Sequence, residues 1–328
     1  MKLATIELIK DIQPIPGADN IDVATVLGYK TVVKKNEFKI GDLCIWHNPD
    51  TIVPEKPEYE FLRKNHFRLK VIRLKGQVSQ GLALPNSLNG FKEGDDVTEL
   101  VGIKKYEKPI PAQLGGKIKG NFPSFLIKTD EEPLRKYPEL INEFKQQDCY
   151  ITLKVDGSSG TFYYKDGVFG VCSRNLEILE DENNSFWKIA KKHNLKEHLE
   201  FHSKHFGNCA IQGEVYGPGI NGNKLKVNEL SLVVFNLFNI DKFVFEDFRE
   251  LYLFCVDKDL PQCNLLYHGK FPFNTIEESI EYANNQTYKE GPAEGIVIRP
   301  EKNIYSNILG GRLSCKVLNE KFQLKHGE

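Results

Sequence analysis

The chain has 328 residues, with 27% charged and 40% hydrophobic residues, and its 44 Lys and Arg against 45 Asp and Glu give a net charge of -1. That length can bury two full cores, the balance is that of a globular protein, and so small a net charge leaves any nucleic acid to be held by a local basic patch. No apolar run approaches the ~18 residues of a spanning helix and Met1-Lys2-Leu3-Ala4-Thr5 opens no signal peptide, so an intracellular protein, cytoplasmic or nuclear and without membrane contact, is expected.

The first hundred residues are short alternating or β-branched runs: Leu3 to Ile9, Asp22 to Tyr29, Thr31 to Val33, Asp42 to His47 and Arg68 to Leu74. Turn residues separate them at Pro14-Ile15-Pro16-Gly17, Ile40-Gly41-Asp42 and Glu93-Gly94-Asp95-Asp96. Many short strands without a long amphipathic helix predict a small OB-like β-barrel over residues 1–105. Within it, Phe61 to Lys75 carries Arg63, Lys64, Arg68, Lys70, Arg73 and Lys75 and no acid. The alternation there puts Phe67, Leu69 and Val71 on one face and Arg68 and Lys70 on the other, then slips at Val71-Ile72 as a bulged strand would. A strand with a cationic outer face is a candidate polynucleotide track; the plain alternative is a solvated face, and residues 1–110 hold only 17 Lys and Arg against 15 Asp and Glu.

Residues 106–123 are rich in Gly, Pro and Lys (Lys108-Pro109-Ile110-Pro111, then Gly115-Gly116-Lys117), which predicts a linker before a second domain at 124–328. In that domain a helix is expected over Glu132 to Gln147. Strands are expected at Cys149 to Lys154, Gly160 to Tyr164, Val168 to Cys172, Ala210 to Val215 and Ser231 to Asn239. A helix capped by Ser185 should run to Phe206. The fold class is therefore α+β, antiparallel sheets with flanking helices behind a barrel. Seven cysteines, Cys44, Cys149, Cys172, Cys209, Cys255, Cys263 and Cys315, are an odd set without a C-x-x-C pair, as for reduced thiols. His198, His202 and His205 have the spacing to hold Zn²⁺, but Glu197, Glu200 and Lys204 interleave with them, and a solvated helix face explains the run more simply.

Chemistry is concentrated in an ordered series of charged groups at strand ends. Lys154-Val155-Asp156-Gly157 closes the apolar strand of Tyr150, Ile151 and Leu153. Cys172-Ser173-Arg174-Asn175 follows another, and Gln212-Gly213-Glu214-Val215-Tyr216-Gly217 places a carboxylate within one. Ala293-Glu294-Gly295-Ile296-Val297-Ile298-Arg299 opens a further strand, and Leu313-Ser314-Cys315-Lys316-Val317-Leu318-Asn319 sets a lysine in the last. For any one of these a surface ion pair would suffice, but inward charges on apolar strands are costly unless paired or bound to a ligand.

The series resembles motifs I, Ia, III, IIIa, IV and V of the covalent nucleotidyltransferase superfamily, which includes ATP-dependent ligases and mRNA capping enzymes. The closest likeness is to RNA ligases of the Naegleria type, which place an OB barrel before the catalytic domain and end shortly after motif V. This resemblance implies an ATP-dependent RNA ligase, expected to be a monomer, that joins 3′-OH and 5′-phosphate RNA ends in RNA repair. Lys154 would take AMP from ATP, pass it to the 5′-phosphate, and the 3′-hydroxyl would displace it. A lysine with an ordinary pKa of ~10.4 must have its charged form disfavoured by ~4 kcal/mol to attack near neutrality, and a cation ~5 Å away at a dielectric of ~20 supplies ~3 kcal/mol, so Lys316 or a bound metal is expected to provide it.

By the same resemblance Asp156, Glu214 and Glu294 surround Mg²⁺ or Mn²⁺, directly or through water. Lys154, Arg174, Glu214, Phe235, Glu294 and Lys316 bind the nucleotide, with Phe235 stacking on adenine and Arg174 on sugar or polynucleotide phosphate. Two departures stand out: Ser314 occupies the first position of a usual Lys-x-Lys pair, and Arg299 stands where lysine is common. A DNA ligase or GTP-dependent capping enzyme shares the chemistry but carries its OB domain after motif V, where only Glu320 to Glu328 follow here. A non-catalytic RNA-binding protein would not need Lys154, Asp156, Glu214, Glu294 and Lys316 together.

Overall fold

The computed structural model describes residues 2–107 and 117–327, so most of the Lys108 to Lys117 run on which the linker was placed lies outside the described residues. The chain forms two compact units. One comprises the described residues of Met1–Lys108 with Pro133–Glu139 and Leu318–Glu328, the other those of Pro109–Glu132 with Leu140–Val317.

The first unit is the expected OB-like barrel. Its main sheet runs Tyr29–Lys34, Ile21–Val26, Ala4–Pro14, Leu43–His47, Leu82–Pro85, all antiparallel, and a second sheet joins Lys104–Lys105, Thr51–Ile52 and Arg68–Leu69. The long strand Ala4–Pro14 shifts register between Ile9 and Asp11, and a bulge at that point bends it. Before that point period-two alternation sends Ala4 and Ile6 into one core with Ile45 and Leu69, and Ile9 into another with Cys44 and Trp46. Buried Arg135 ties Pro133–Glu139 and the C-terminal helix Glu320–His326 into this unit: it donates to Gln80 Oε1 and, at 2.6 Å, to Glu320 Oε1. Its carbonyl accepts from the Gly28 amide at 2.8 Å, an approach that a Cβ on residue 28 would block.

The expected basic strand is not one strand. Pro57–Asn65 is a 3₁₀ helix started by Pro57 and ended by left-handed His66 and Phe67, with short strands at Arg68–Leu69 and Ile72–Leu74 beyond it. Phe67, Leu69 and Val71 are buried as the alternation required. The slip at Val71-Ile72 marks the start of a separate hairpin with Gln77–Ser79, and it leaves Ile72 and Leu74 exposed.

The second unit is built on a seven-stranded antiparallel sheet in the order Ile118–Asn121, Leu176–Ile178, Val168–Cys172, Ser158–Lys165, Cys209–Tyr216, Ser231–Asn239, Val244–Phe245. Period-two alternation sends Phe162, Val171 and Ile211 to one face, under the helices Ser185–Lys192, Leu195–Phe206 and Phe248–Asp257, and Tyr163, Cys172 and Ala210 to the other. A further sheet sets Cys315–Leu318, Gly295–Pro300, Asp148–Lys154 and Leu265–Lys270 side by side.

Two helical expectations are corrected. The segment expected as a helix over Glu132 to Gln147 is broken into a short strand Glu132–Pro133, a 3₁₀ turn Leu134–Lys136 and a helix Leu140–Phe144, because Pro133 and Pro138 each lack an amide donor and Pro138 disfavours helical backbone at Tyr137. The 185–206 helix is two, divided at left-handed Asn194, and its cap is Asn184, whose side chain accepts from the Phe186 and Trp187 amides. His202 packs on Phe206 and Phe254 while His205 Nδ1 bonds the Phe201 carbonyl, so these rings face hydrophobic and backbone partners rather than one another's nitrogens. Among the described residues no helix is long and apolar enough to cross a membrane.

Candidate active site

The strand Asp148–Lys154 is buried from Cys149 to Leu153, so it delivers Lys154 at its end as a partly buried amine. Lys154 pairs in register with Gly295, and this brings Glu294, just ahead of that strand, to the ammonium: Nζ to Oε2 is 2.7 Å. Glu214 enters from the seven-stranded sheet opposite Ser159. Gly157 must be glycine for this to happen, since a Cβ there would lie 2.5 Å from the Val215 carbonyl oxygen and 2.8 Å from Glu214 Cγ. Asp156, its side chain 4% exposed, accepts from Lys224 Nζ at 3.0 Å.

This cluster corrects one expectation. Burial works against the charge on Lys154, but Glu294, Glu214 and Asp156 outweigh it, and they hold the amine above its ordinary range rather than below. Without a bound cation the Lys154 amine is an ammonium. Glu214 shows the converse: burial, aided by Glu294 and Asp156 and opposed by Lys154 and Arg174, pushes its carboxyl up to about 8. One buried acid, Asp156, and two partly buried ones, Glu214 and Glu294, thus share this pocket of charge. Among the described residues no three His, Cys, Asp or Glu side chains close round a common point as direct metal ligands. The cluster nevertheless suits a hydrated, hard divalent ion, because its donors are all oxygen and one of them is protonated for want of a cation.

Arg174 follows the strand Val168–Cys172 and pairs with Asp130 at 2.5 Å while remaining nearly half exposed. Phe235 sits at a register shift: Gln212 pairs with Asn236 and Gly213 with Val234, so Phe235 is the extra residue of a bulge in Ser231–Asn239. The bulge takes it out of alternation. It is only partly buried between Val234 and Asn236, both buried, where an ordinary core aromatic of the strand would be enclosed. Lys316 lies between fully buried Cys315 and Val317 on the partly exposed face of its strand, two strands from Lys154 in the same sheet.

The two departures from the family pattern prove to be one feature. Buried Arg299 donates Nε to Ser314 Oγ at 3.0 Å, Nη2 to Glu131 Oε1 at 2.6 Å and Nη1 to the Phe235 carbonyl at 3.4 Å, and its guanidinium centre is 5.7 Å from the Phe235 ring centroid. Desolvation raises the Glu131 carboxyl, but Arg299 and Ser314 prevail and keep it below the ordinary range. A lysine at 314 would set a second cation against Arg299, and a lysine at 299 would lack the fork that reaches three acceptors.

Lys224, Asn221 and Glu131 were not singled out from the sequence. Asn221-Gly222-Asn223 signals a left-handed turn, but nothing in it names the partner of the lysine that follows. Among the six cations expected on the barrel, Arg63 is engaged with Glu60 at 2.6 Å and Glu55 at 3.5 Å, and Arg68 with Asp50 at 2.5 Å beneath the Tyr106 ring. Lys64, Arg73 and Lys75 are exposed and Lys70 is half-buried.

Comparison with known proteins agrees with this construction. An OB-fold domain model matches residues 3–86, and the RNA ligase family model matches residues 147–318. No curated protein matches the sequence. Among solved structures, an apo mutant of the RNA ligase of Naegleria gruberi is 33% identical with a TM-score of 0.90, covering 99% of this chain and 98% of that one. A mutant of the same ligase with ATP and Mn is 33% identical with a TM-score of 0.90 over 98% of each chain, and another with ATP and Mn is 32% identical at 0.90 over 100% of each. The fold and site are those of a barrel followed by a lysine-centred, carboxylate-lined α+β unit. The chain belongs to the RNA ligase family.

Proposed function

We propose that the protein is an ATP-dependent RNA ligase acting through a covalent adenylate on Lys154. The observation that carries this reading is the Lys154 amine, 2.7 Å from Glu294 and held charged by Glu294, Glu214 and Asp156. In the first step the neutral Lys154 Nζ attacks the α-phosphorus of ATP, a P–N bond forms, the bond to pyrophosphate breaks, and the nitrogen gives up one proton to water or the departing pyrophosphate. In the second an oxygen of the RNA 5′-phosphate takes the adenylyl group and restores the free amine. In the third the neighbouring 3′-hydroxyl attacks that phosphorus, AMP departs, and its proton passes to a nearby base or water. Mg²⁺ or Mn²⁺, held by Asp156, Glu214 and Glu294 directly or through water, would supply charge to the phosphates and relieve the carboxylates' hold on the Lys154 proton.

Phe235 is assigned to the adenine face because the bulge frees its ring, and Arg174 and Lys316 to phosphate or sugar contacts because each is a partly exposed cation in the same unit. Within the expected cationic run Phe61 to Lys75, Arg63 and Arg68 are engaged by acids, and the RNA contact is assigned to Lys64, Lys70, Arg73 and Lys75. Repair of broken strands with 3′-OH and 5′-phosphate ends, by a monomer inside the cell, is the role that such a ligase would fill. Incubation with radiolabelled ATP, GTP or NAD and Mn²⁺, followed by denaturation, tests the reading. Label retained from ATP alone supports it, label from GTP would make the protein a capping-type enzyme, and none would leave a nucleotide-independent RNA binder.

A further inference from the structure

The residues 155–157 that follow the nucleophile are all gripped by one segment, Ile220 to Val227. Leu225 and Val227 pack with Val155 in a buried apolar cluster, Lys224 donates to Asp156 at 3.0 Å, and Asn221 Nδ2 donates to the Gly157 carbonyl. The segment holds an unfavourable backbone to do so: Asn221, Asn223 and Lys226 all have positive φ, at 44°, 48° and 51°. Asn223 steadies it internally by bonding the Val227 amide and carbonyl. Lys224 is thus not a surface lysine that happens to meet an acid. Its side chain is 15% exposed, against an aspartate side chain 4% exposed.

On the footing of the proposed function, we propose that Lys224 is a positioning residue and a resident counter-ion: it holds Asp156 in place while no divalent cation is bound, and competes with that cation for the carboxylate. The chemistry follows from charge. Lys154 holds Glu294 at 2.7 Å and Lys224 holds Asp156 at 3.0 Å, so each ammonium occupies a carboxylate oxygen that a hard cation would seek. Removing Lys224 takes one competing positive charge away from Asp156 and raises the affinity of the cluster for a divalent ion. It also frees the residue 155–157 turn from one of its three holds.

The test is direct binding of Mn²⁺ to the full chain without nucleotide, followed through the free-Mn²⁺ electron paramagnetic resonance signal, for the wild type, Lys224→Met, Lys224→Arg and the double variant Lys224→Met/Asp156→Asn. The expected result is about tenfold tighter binding for Lys224→Met, the order of magnitude for one like charge removed from near the ion at high effective dielectric. Lys224→Arg should stay near wild type, and the double variant should lose the gain. Binding by Lys224→Met that is unchanged, weaker or as undetectable as in the wild type would overturn the proposal, as would a gain that survives in the double variant. If Lys224→Met fails to fold, as read by its melting temperature, Lys224→Gln replaces it. A failure of the ligase reading is distinguishable, because it appears as absent label from ATP in the wild type while the Mn²⁺ comparison stands by itself.

Discussion

Glu214 shows how a single residue stores the site's demand for a cation. Burial pushes its carboxyl up to about 8 from the ordinary 4.5, so between those values the folded protein keeps a proton that the unfolded chain has lost. Stability from this group is therefore complete below about 4.5 and is lost as pH rises through about 8. We expect Glu214→Gln, which cannot ionise, to remove that part of the decline: in EDTA its denaturation midpoint should fall less than that of the wild type between pH 5 and pH 8. Equal slopes for the two proteins would show that Glu214 is ionised throughout. The reversed setting of Lys154 belongs to the same account. Its sequence context, an apolar strand ending in Lys-Val-Asp-Gly, made the amine legible as the nucleophile but not its charge, which depends on Glu294 and Glu214, 140 and 60 residues further along the chain and brought close only by strand pairing.

Among the elements, the strands were legible and the helices less so. Short apolar runs located Asp148–Lys154, Ser158–Lys165, Val168–Cys172, Cys209–Tyr216 and Ser231–Asn239, because these strands are buried along most of their length. The 132–147 and 185–206 helices were drawn too long because apolar spacing outweighed three local breakers, Pro133 and Pro138 in the first and the left-handed Asn194 in the second. The Phe61 to Lys75 run failed as a strand for a related reason: its cations and aromatics alternate, but Pro57 and the turn at His66 and Phe67 decide the backbone. The bulge at Phe235 was beyond reading from the sequence, since Val233-Val234-Phe235 looks like continuous core. If the bulge presents the ring to adenine, Phe235→Ala should raise the KM for ATP in self-adenylylation about tenfold, a loss of ~1–1.5 kcal/mol, with Phe235→Tyr near wild type. An unchanged KM in the alanine variant would return Phe235 to the core.

At the scale of the whole molecule, the chain pairs a barrel with a nucleotidyl-transfer unit of the RNA ligase family, and the sequence carried both because the fore-domain strands and the motif order are each local signals. Membership of the first unit was less legible: Arg135 and the helix Glu320–His326 join it through a buried ion pair between residues 185 positions apart. The barrel's exposed hairpin gives a separable prediction. Neutralising Arg73 and Lys75 together should weaken RNA binding and flatten its dependence on salt by about two counterions' worth while leaving AMP labelling from ATP intact. Unaltered RNA affinity and salt slope would move the RNA contact elsewhere. The central claim is tested most directly by mass spectrometry of the protein after incubation with ATP and Mn²⁺, with Lys154→Ala alongside. The account predicts one AMP adduct, mapped to Lys154, absent from the alanine variant, which should still seal RNA supplied with a pre-adenylylated 5′ end. An adduct on any other residue, or one that persists in Lys154→Ala, would contradict it.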